Sequence, residues 1–179
     1  MLFAHDTEIA LVAAADLVNT AANGRERLPD PAALAAFLDS WSYTFSRVGD
    51  AAELTAVHVL RTVLAAMWDA DEDAVVDVVN RLLRDGHALP QLVRHDDWGY
   101  HVHATEPSAP IADRMGVETA MAVADVVRSG ALDRLRRCAA DRCDAALVDL
   151  TRNASRRFCD TSCANRSHVA AYRARHAAD

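Results

Sequence analysis

Between Met1 and Gly130 apolar side chains recur mostly at helical spacing, interrupted by polar and glycine-containing breaks. Ile9, Val12, Ala13, Asp16 and Leu17 follow a partial 3.6-residue period, predicting a first helix from Asp6 or Thr7, either of which suits its amino cap, to Asn19. The stretch from Asn19 to Gly24 breaks it, with Gly24 free to take positive φ. Asp30-Pro31 is a cap followed by proline in the first turn, and the helix it opens carries Leu34, Phe37, Leu38, Trp41 and Phe45 along one side as core. Asp50 and Glu53 read as a capping box for a helix through Leu54, Val57, Leu60, Leu64, Met67 and Trp68. Arg61 lies inside that apolar series and is expected to snorkel outward rather than to be buried against a carboxylate. A further helix starts at Asp71-Glu72-Asp73 and stops at Asp85-Gly86, glycine being suited to the residue just past the end.

The period then changes to two. Gln91 to His95, Asp96-Asp97, and Trp98 to His103 predict a hairpin with Trp98, Tyr100 and Val102 on one side and His101 and His103 on the other. His101 and His103, with His95 nearby, are expected on a solvated face rather than on a metal. The last helix of this part runs from Ile111 to Val127 and closes at Ser129-Gly130. Leu132 to Arg137 then forms a link without flexible Gly/Ser composition, so its leucines are expected to keep the two parts packed. Ala145 to Asp149 is a candidate strand, Thr151 to Ser155 a turn, and Ser155 to Cys159 its return strand. The pattern as a whole is mainly α: a helical amino-terminal domain, 1–130, with a small β-hairpin, followed by a compact unit, 131–179.

Half of the 179 residues are apolar, enough for a core, and alanine and leucine dominate. No apolar run is long enough to span a membrane and the amino terminus lacks a signal-peptide pattern, so a cytoplasmic protein is the expectation. Charge is divided unevenly. All 19 basic residues other than histidine are arginine; ten of them face six aspartates from Ala131 onward, a formal +4, leaving −11 for the rest of a chain of net charge −7. A basic tail on an acidic body fits a polyanion-binding segment on a domain that would itself repel nucleic acid.

All four cysteines lie in that tail, Cys138 and Cys143 in one pair, Cys159 and Cys163 in the other. Four thiolates in two pairs suit one tetrahedral structural zinc ion (Zn2+) with no open coordination position, and therefore no catalytic metal. The first pair fits a knuckle turning at Asp141, and the second is spaced to point from one face of a helix's first turn. Two disulfides are the weaker alternative, since nothing marks the chain as secreted; unrelated buried cysteines are weaker still. Bound to four thiolates, zinc contributes about −2, which leaves the tail near +2, so the basic case rests on clustering.

Beyond spacing, Arg136-Arg137-Cys138, Cys143, Asp149 to Asn153, Arg156-Arg157-Phe158-Cys159, Cys163-Ala164-Asn165-Arg166, and Arg173 with Arg175 closely resemble the CGNR zinc-finger family. Asp16 to Thr20, Asp30-Pro31, Leu60-Arg61 and Asn80 resemble the helical ABATE domain that usually precedes such a finger. The resemblance covers essentially the whole chain. It implies a treble-clef-like zinc finger with four cysteine ligands, Cys138, Cys143, Cys159 and Cys163, in a bacterial transcription regulator linked to stress. Two positions depart from the family: Ala164 replaces glycine, which costs stability if the glycine relieves strain, and Phe158 stands where tryptophan is usual.

Arg152, Arg156, Arg157, Arg166, Arg173 and Arg175 are the candidate DNA contacts, because a guanidinium fork pairs with phosphate oxygens or a guanine edge. The competing reading pairs Arg156 or Arg157 with Asp149 or Asp160 inside the finger. Asp16, Asn19, Arg61 and Asn80 are a candidate ligand pocket for a small-molecule effector. A DNA-binding regulator with a sensing or homodimerising body is the leading function. A protein-interaction adaptor with a purely structural zinc clip and a thiol redox switch are the alternatives. No enzyme motif is present in the sequence, so the chain is expected not to be an enzyme.

Overall fold

The computed structural model describes residues 2–43, 46–94 and 99–176, except for the side chain of Ala174. Helix α1 (His5–Asn19) is followed by α2 (Pro31–Ser40), α3 (Ala51–Ala66) and α4 (Glu72–Asp85). Strands β1 (Gln91–Val93) and β2 (His101–His103) form an antiparallel hairpin in which Leu92 faces Val102. Helix α5 (Ile111–Arg128) comes next, then strands β3 (Leu135–Arg137) and β4 (Ala146–Val148), and finally α6 (Thr161–His176). Helix α5 packs on α4, α1 and α3, α2 packs against α3, and α1 also lies against β4. Leu11 and Leu17 of α1, Val57 and Leu64 of α3, and Val117 and Val123 of α5 are completely buried. No described helix is long and apolar enough to cross a membrane.

The caps explain where the helices begin. Asp30, Asp50 and Asp71 each accept the N–H three residues on, at 2.8, 2.8 and 2.9 Å. Glu53 reaches past Asp50 to the N–H groups of Val48 and Gly49, so the expected box closes one and two residues earlier than its usual form. Helix α1 departs further from expectation: it starts at His5 with no side-chain cap, and Glu8 takes the N–H groups of Leu2 and Phe3 instead. Helix α2 stops at Ser40, so Trp41 sits at its end rather than on its face, and its indole N–H donates to Asp16 at 2.8 Å. Phe45 lies outside the described residues.

Helix α4 ends differently from the expectation. Ala88 N–H bonds to Leu83 O and His87 N–H to Arg84 O, the two bonds of a Schellman end. The residue with positive φ is His87 (50°), whereas Gly86 has φ −81°. Glycine is needed at 86 for space: a Cβ there would lie 2.3 Å from Cγ2 of Val117 on α5. The end of α5 is as expected, with Gly130 at φ 61°.

Two interior polar groups shape the body. Arg61, contrary to the snorkelling expectation, is 9% exposed and pairs with both carboxylate oxygens of Glu26 at 2.8 and 2.6 Å, with a further bond to the Thr20 hydroxyl. The bond to Arg61 holds the Glu26 carboxyl down at about 2. On α5, Glu118 accepts from the Tyr43 hydroxyl, and burial raises it to about 7 despite the nearby Arg114. Arg114 itself donates to Ser46 O at 2.8 Å.

The hairpin face expected in solvent is the covered one. His101 is only 9% exposed, whereas Leu92 and Tyr100 are 71% and 72% exposed. The Nδ1–H of His101 donates to the Gly99 carbonyl, and its Nε2 meets Nε2 of His103 at 3.0 Å. The residues from His95 to Trp98 lie outside the described residues.

The tail meets the body through β4, which lies against α1. Strand β4 pairs with β3, with Arg136 opposite Leu147, and not with residues 155–159, which form no strand. Alternation along β4 sends Ala146 and Val148 into the main core and Leu147 into the small cluster around the cysteines. One short strand is therefore a wall of both.

Candidate metal centre

The first cysteine pair sits in the turn of the β3–β4 hairpin. Cys138 directly follows β3, its N–H bonding to Ala145 O at 2.9 Å, and Cys143 N–H closes a turn onto Ala140 O at 3.2 Å. Arg142 occupies the left-handed position of that turn, at φ 58°. The knuckle thus lies within the hairpin rather than before it.

The second pair straddles the start of α6. Asp160 caps the helix by accepting the N–H of Cys163 at 2.7 Å, so Cys163 is in the first turn and Cys159 just precedes it. The spacing had suggested that both belong to the helix. Ala164 is inside α6 and not among the residues of positive φ, so the expected strain from replacing glycine does not arise. Phe158 packs half-buried against the cysteine cluster, as the aromatic position requires.

All four sulfurs lie within 4.8 Å of one another. Cys159 is 3.5 Å from Cys163 and 3.8 Å from Cys143. A tetrahedral zinc ion with Zn–S bonds of about 2.3 Å separates its sulfurs by about 3.8 Å, so this set fits one zinc ion. The thiols do not shift alike: against the cost of its burial, the N–H groups of Cys159 and Ala140 hold Cys138 below the usual thiol range. Burial and the neighbouring sulfurs push Cys159 well above the usual thiol range and Cys163 up to about 11. Four thiolates this close need a cation between them. With zinc bound, the four protein ligands close the coordination sphere, and the ion supplies cross-linking rather than an activated water.

A second layer of polar contacts fixes the ligand loops. Asp149, completely buried, accepts Thr151 N–H and hydroxyl on one oxygen and Arg156 N–H on the other, which also faces the Arg136 guanidinium at 3.2 Å. Burial opposes its charge, yet these donors hold its carboxyl below the usual range. Arg137 forks onto Asp69 at 3.1 and 2.6 Å and caps the end of α3 through Ala65 O. Asn19 and Trp68 reach β4 from α1 and the end of α3, Trp68 donating to Leu147 O at 3.0 Å. Nothing in the sequence pattern gives these roles to Arg137 and Trp68 or makes Asp149 the hub of its loop, because the partners come from separate segments.

The candidate DNA residues divide into two groups. Arg156 bends back to the carbonyls of Phe158 and Cys159, at 3.3 and 2.7 Å, and Arg166 donates to Cys163 Sγ at 2.8 Å. Both are occupied with the metal loops. Neither Arg156 nor Arg157 brings its guanidinium to Asp149 or Asp160: Arg156 contributes only its backbone N–H to Asp149, and Arg157 lies over the Phe158 ring at 5.7 Å. Arg152, Arg157, Arg173 and Arg175 are exposed and, among the described residues, have no carboxylate partner. The candidate pocket residues each have a place of their own. Asp16 holds Trp41, Asn19 holds β4, Arg61 holds Glu26, and Asn80 is exposed on α4. His101 and His103 meet each other through Nε2, and His95 lies outside the described residues; among the described residues the cysteine set is the one group of three or more metal-ligating side chains.

Comparison with known families agrees with this layout. Residues 134–176 match the family described as "CGNR zinc finger", and residues 11–130 match ABATE, described as "Putative stress-induced transcription regulator". Comparison with curated proteins gives no match.

Proposed function

Since the chain belongs to the ABATE family and carries a CGNR zinc finger at its end, we propose that it is a transcription regulator that binds DNA through that finger. The observation behind this reading is the exposed set Arg152, Arg157, Arg173 and Arg175 on the loop after β4 and on α6. These arginines are not neutralised by acids of the described residues. Helix α6 also leaves Val169 48% and Tyr172 57% exposed, an uncovered helical surface of the kind that enters or borders a groove. Arg156 and Arg166 are exposed as well, but their guanidinium groups are bonded to the Phe158 and Cys159 carbonyls and to Cys163 Sγ. The acidic helical body serves as the sensing or dimerising half, in a cytoplasmic protein without catalytic activity of its own.

The test is selection of the zinc-loaded protein on random duplex DNA, followed by binding at increasing salt. Changing Arg152, Arg157, Arg173 and Arg175 to alanine should abolish enrichment and lower the salt slope by about 0.9 for each phosphate no longer neutralised. A folded, zinc-loaded parent that enriches no sequence and shows no salt-dependent binding would defeat the reading. Its arginines would then have to meet an acidic protein partner.

A further inference from the structure

We propose that Arg166 is a positioning residue of the zinc centre, holding the Cys163 thiolate and setting how tightly zinc is retained. Cys163 is 2% exposed, so water does little to solvate the negative charge its sulfur carries as a ligand. The Arg166 guanidinium supplies that compensation directly, with Nη2 at 2.8 Å from Sγ. A hydrogen bond between charged partners is about twice as strong as one between neutral groups. The two residues are three apart on α6, where side chains share a face.

The contact is anchored at its other end. Arg166 Nη1 donates to Ser162 Oγ at 3.2 Å, Ser162 donates to Asp160 Oδ1 at 2.8 Å, and the same oxygen accepts Cys163 N–H at 2.7 Å. Cap, hydroxyl, guanidinium and ligand sulfur thus close a ring around the first turn of α6. The centre's net charge supplies a reason for the ring. One divalent ion on four thiolates leaves about −2, and Arg166 brings one positive charge into contact with it. Partners that orient metal ligands typically change metal affinity by about 10–100-fold when removed. The inference is independent of DNA binding and is read on metal alone.

The experiment is zinc competition with a chromogenic chelator on full-length Arg166→Ala, Arg166→Lys and, as a control on the same helix, Arg173→Ala. The cobalt-substituted forms are compared by their sulfur-to-metal charge-transfer band. Arg166→Ala should weaken zinc binding by about 10–100-fold and move the band to lower energy, as a thiolate without its donor becomes easier to ionise. Arg166→Lys should recover part of both effects, and Arg173→Ala should match the parent. Parent-like affinity and spectrum in Arg166→Ala would overturn the proposal. So would failure of both Arg166 variants to fold at saturating zinc, since charge would then not be what the site requires.

Discussion

The carboxamide of Asn19 on α1 clasps the backbone of Ala146 on β4. Its Nδ2 donates to the Ala146 carbonyl at 2.8 Å, and its Oδ1 accepts the Ala146 N–H at 2.7 Å. An asparagine side chain in this position replaces a neighbouring strand. Asn19→Ala should leave both backbone groups of a buried residue unpaired and cost about 2–4 kcal/mol. Denaturant unfolding of the zinc-loaded protein measures this. Asn19→Asp should also destabilise, since it keeps the acceptor and loses the donor.

Asp149 is the buried acid on which the loop after β4 is wound. Asp149→Ala should strip the Arg136 charge and three donors of their acceptor, at about 3–5 kcal/mol. Zinc release by a competing chelator should be faster as well, because Arg156 N–H and the residues leading to Cys159 lose their anchor. Equal zinc retention in the variant and the parent would contradict that role.

The stability profile with pH has two limbs of opposite sign. Glu26 is held at about 2 against an ordinary 4.5, so its contribution is present above 4.5 and is lost as pH falls toward 2. Glu118 is raised from 4.5 to about 7, so the folded state holds the extra proton, and stability declines as pH rises through that window. Glu118→Gln should flatten the decline between about pH 5 and 7.5, and Glu26→Gln should flatten the acid limb. Melting temperatures of each variant minus those of the parent give the answer, because proton competition for the zinc thiolates then cancels.

Gly86 and His87 make a paired test. Gly86→Ala should cost about 1–3 kcal/mol, because Val117, stiff at χ1, stands where the new methyl would go. His87→Gly should stabilise by about 1 kcal/mol by relieving the left-handed backbone of a non-glycine residue. Thermal unfolding reads both, and a result of the same sign for the two would refute the division of roles.

Much of this architecture is written in local signals. Asp30, Asp50 and Asp71 announce their helices because a short carboxylate reaches the third N–H without help from the rest of the fold. The four cysteines are legible because zinc restricts both residue type and spacing. What the sequence concealed depends on distant partners. Arg61 looks like an outward-reaching side chain until Glu26 is brought against it. His101 lies on the polar side of its strand pattern, yet that side is the one covered by the fold. The return strand failed for a similar reason: β4 finds β3 across the metal knuckle, and Arg156 N–H is drawn instead to Asp149. Six arginines look equivalent in a string of letters, and only geometry separates those that serve the ligands from those that face outward.

Because β4 is wall to both cores, the two parts share more than a boundary. A tail cut from this body would leave Ala146, Leu147 and Arg137 without Asn19, Trp68 and Asp69, and the body would lose Ala146 and Val148 from its own core. Each half therefore completes the other's interior.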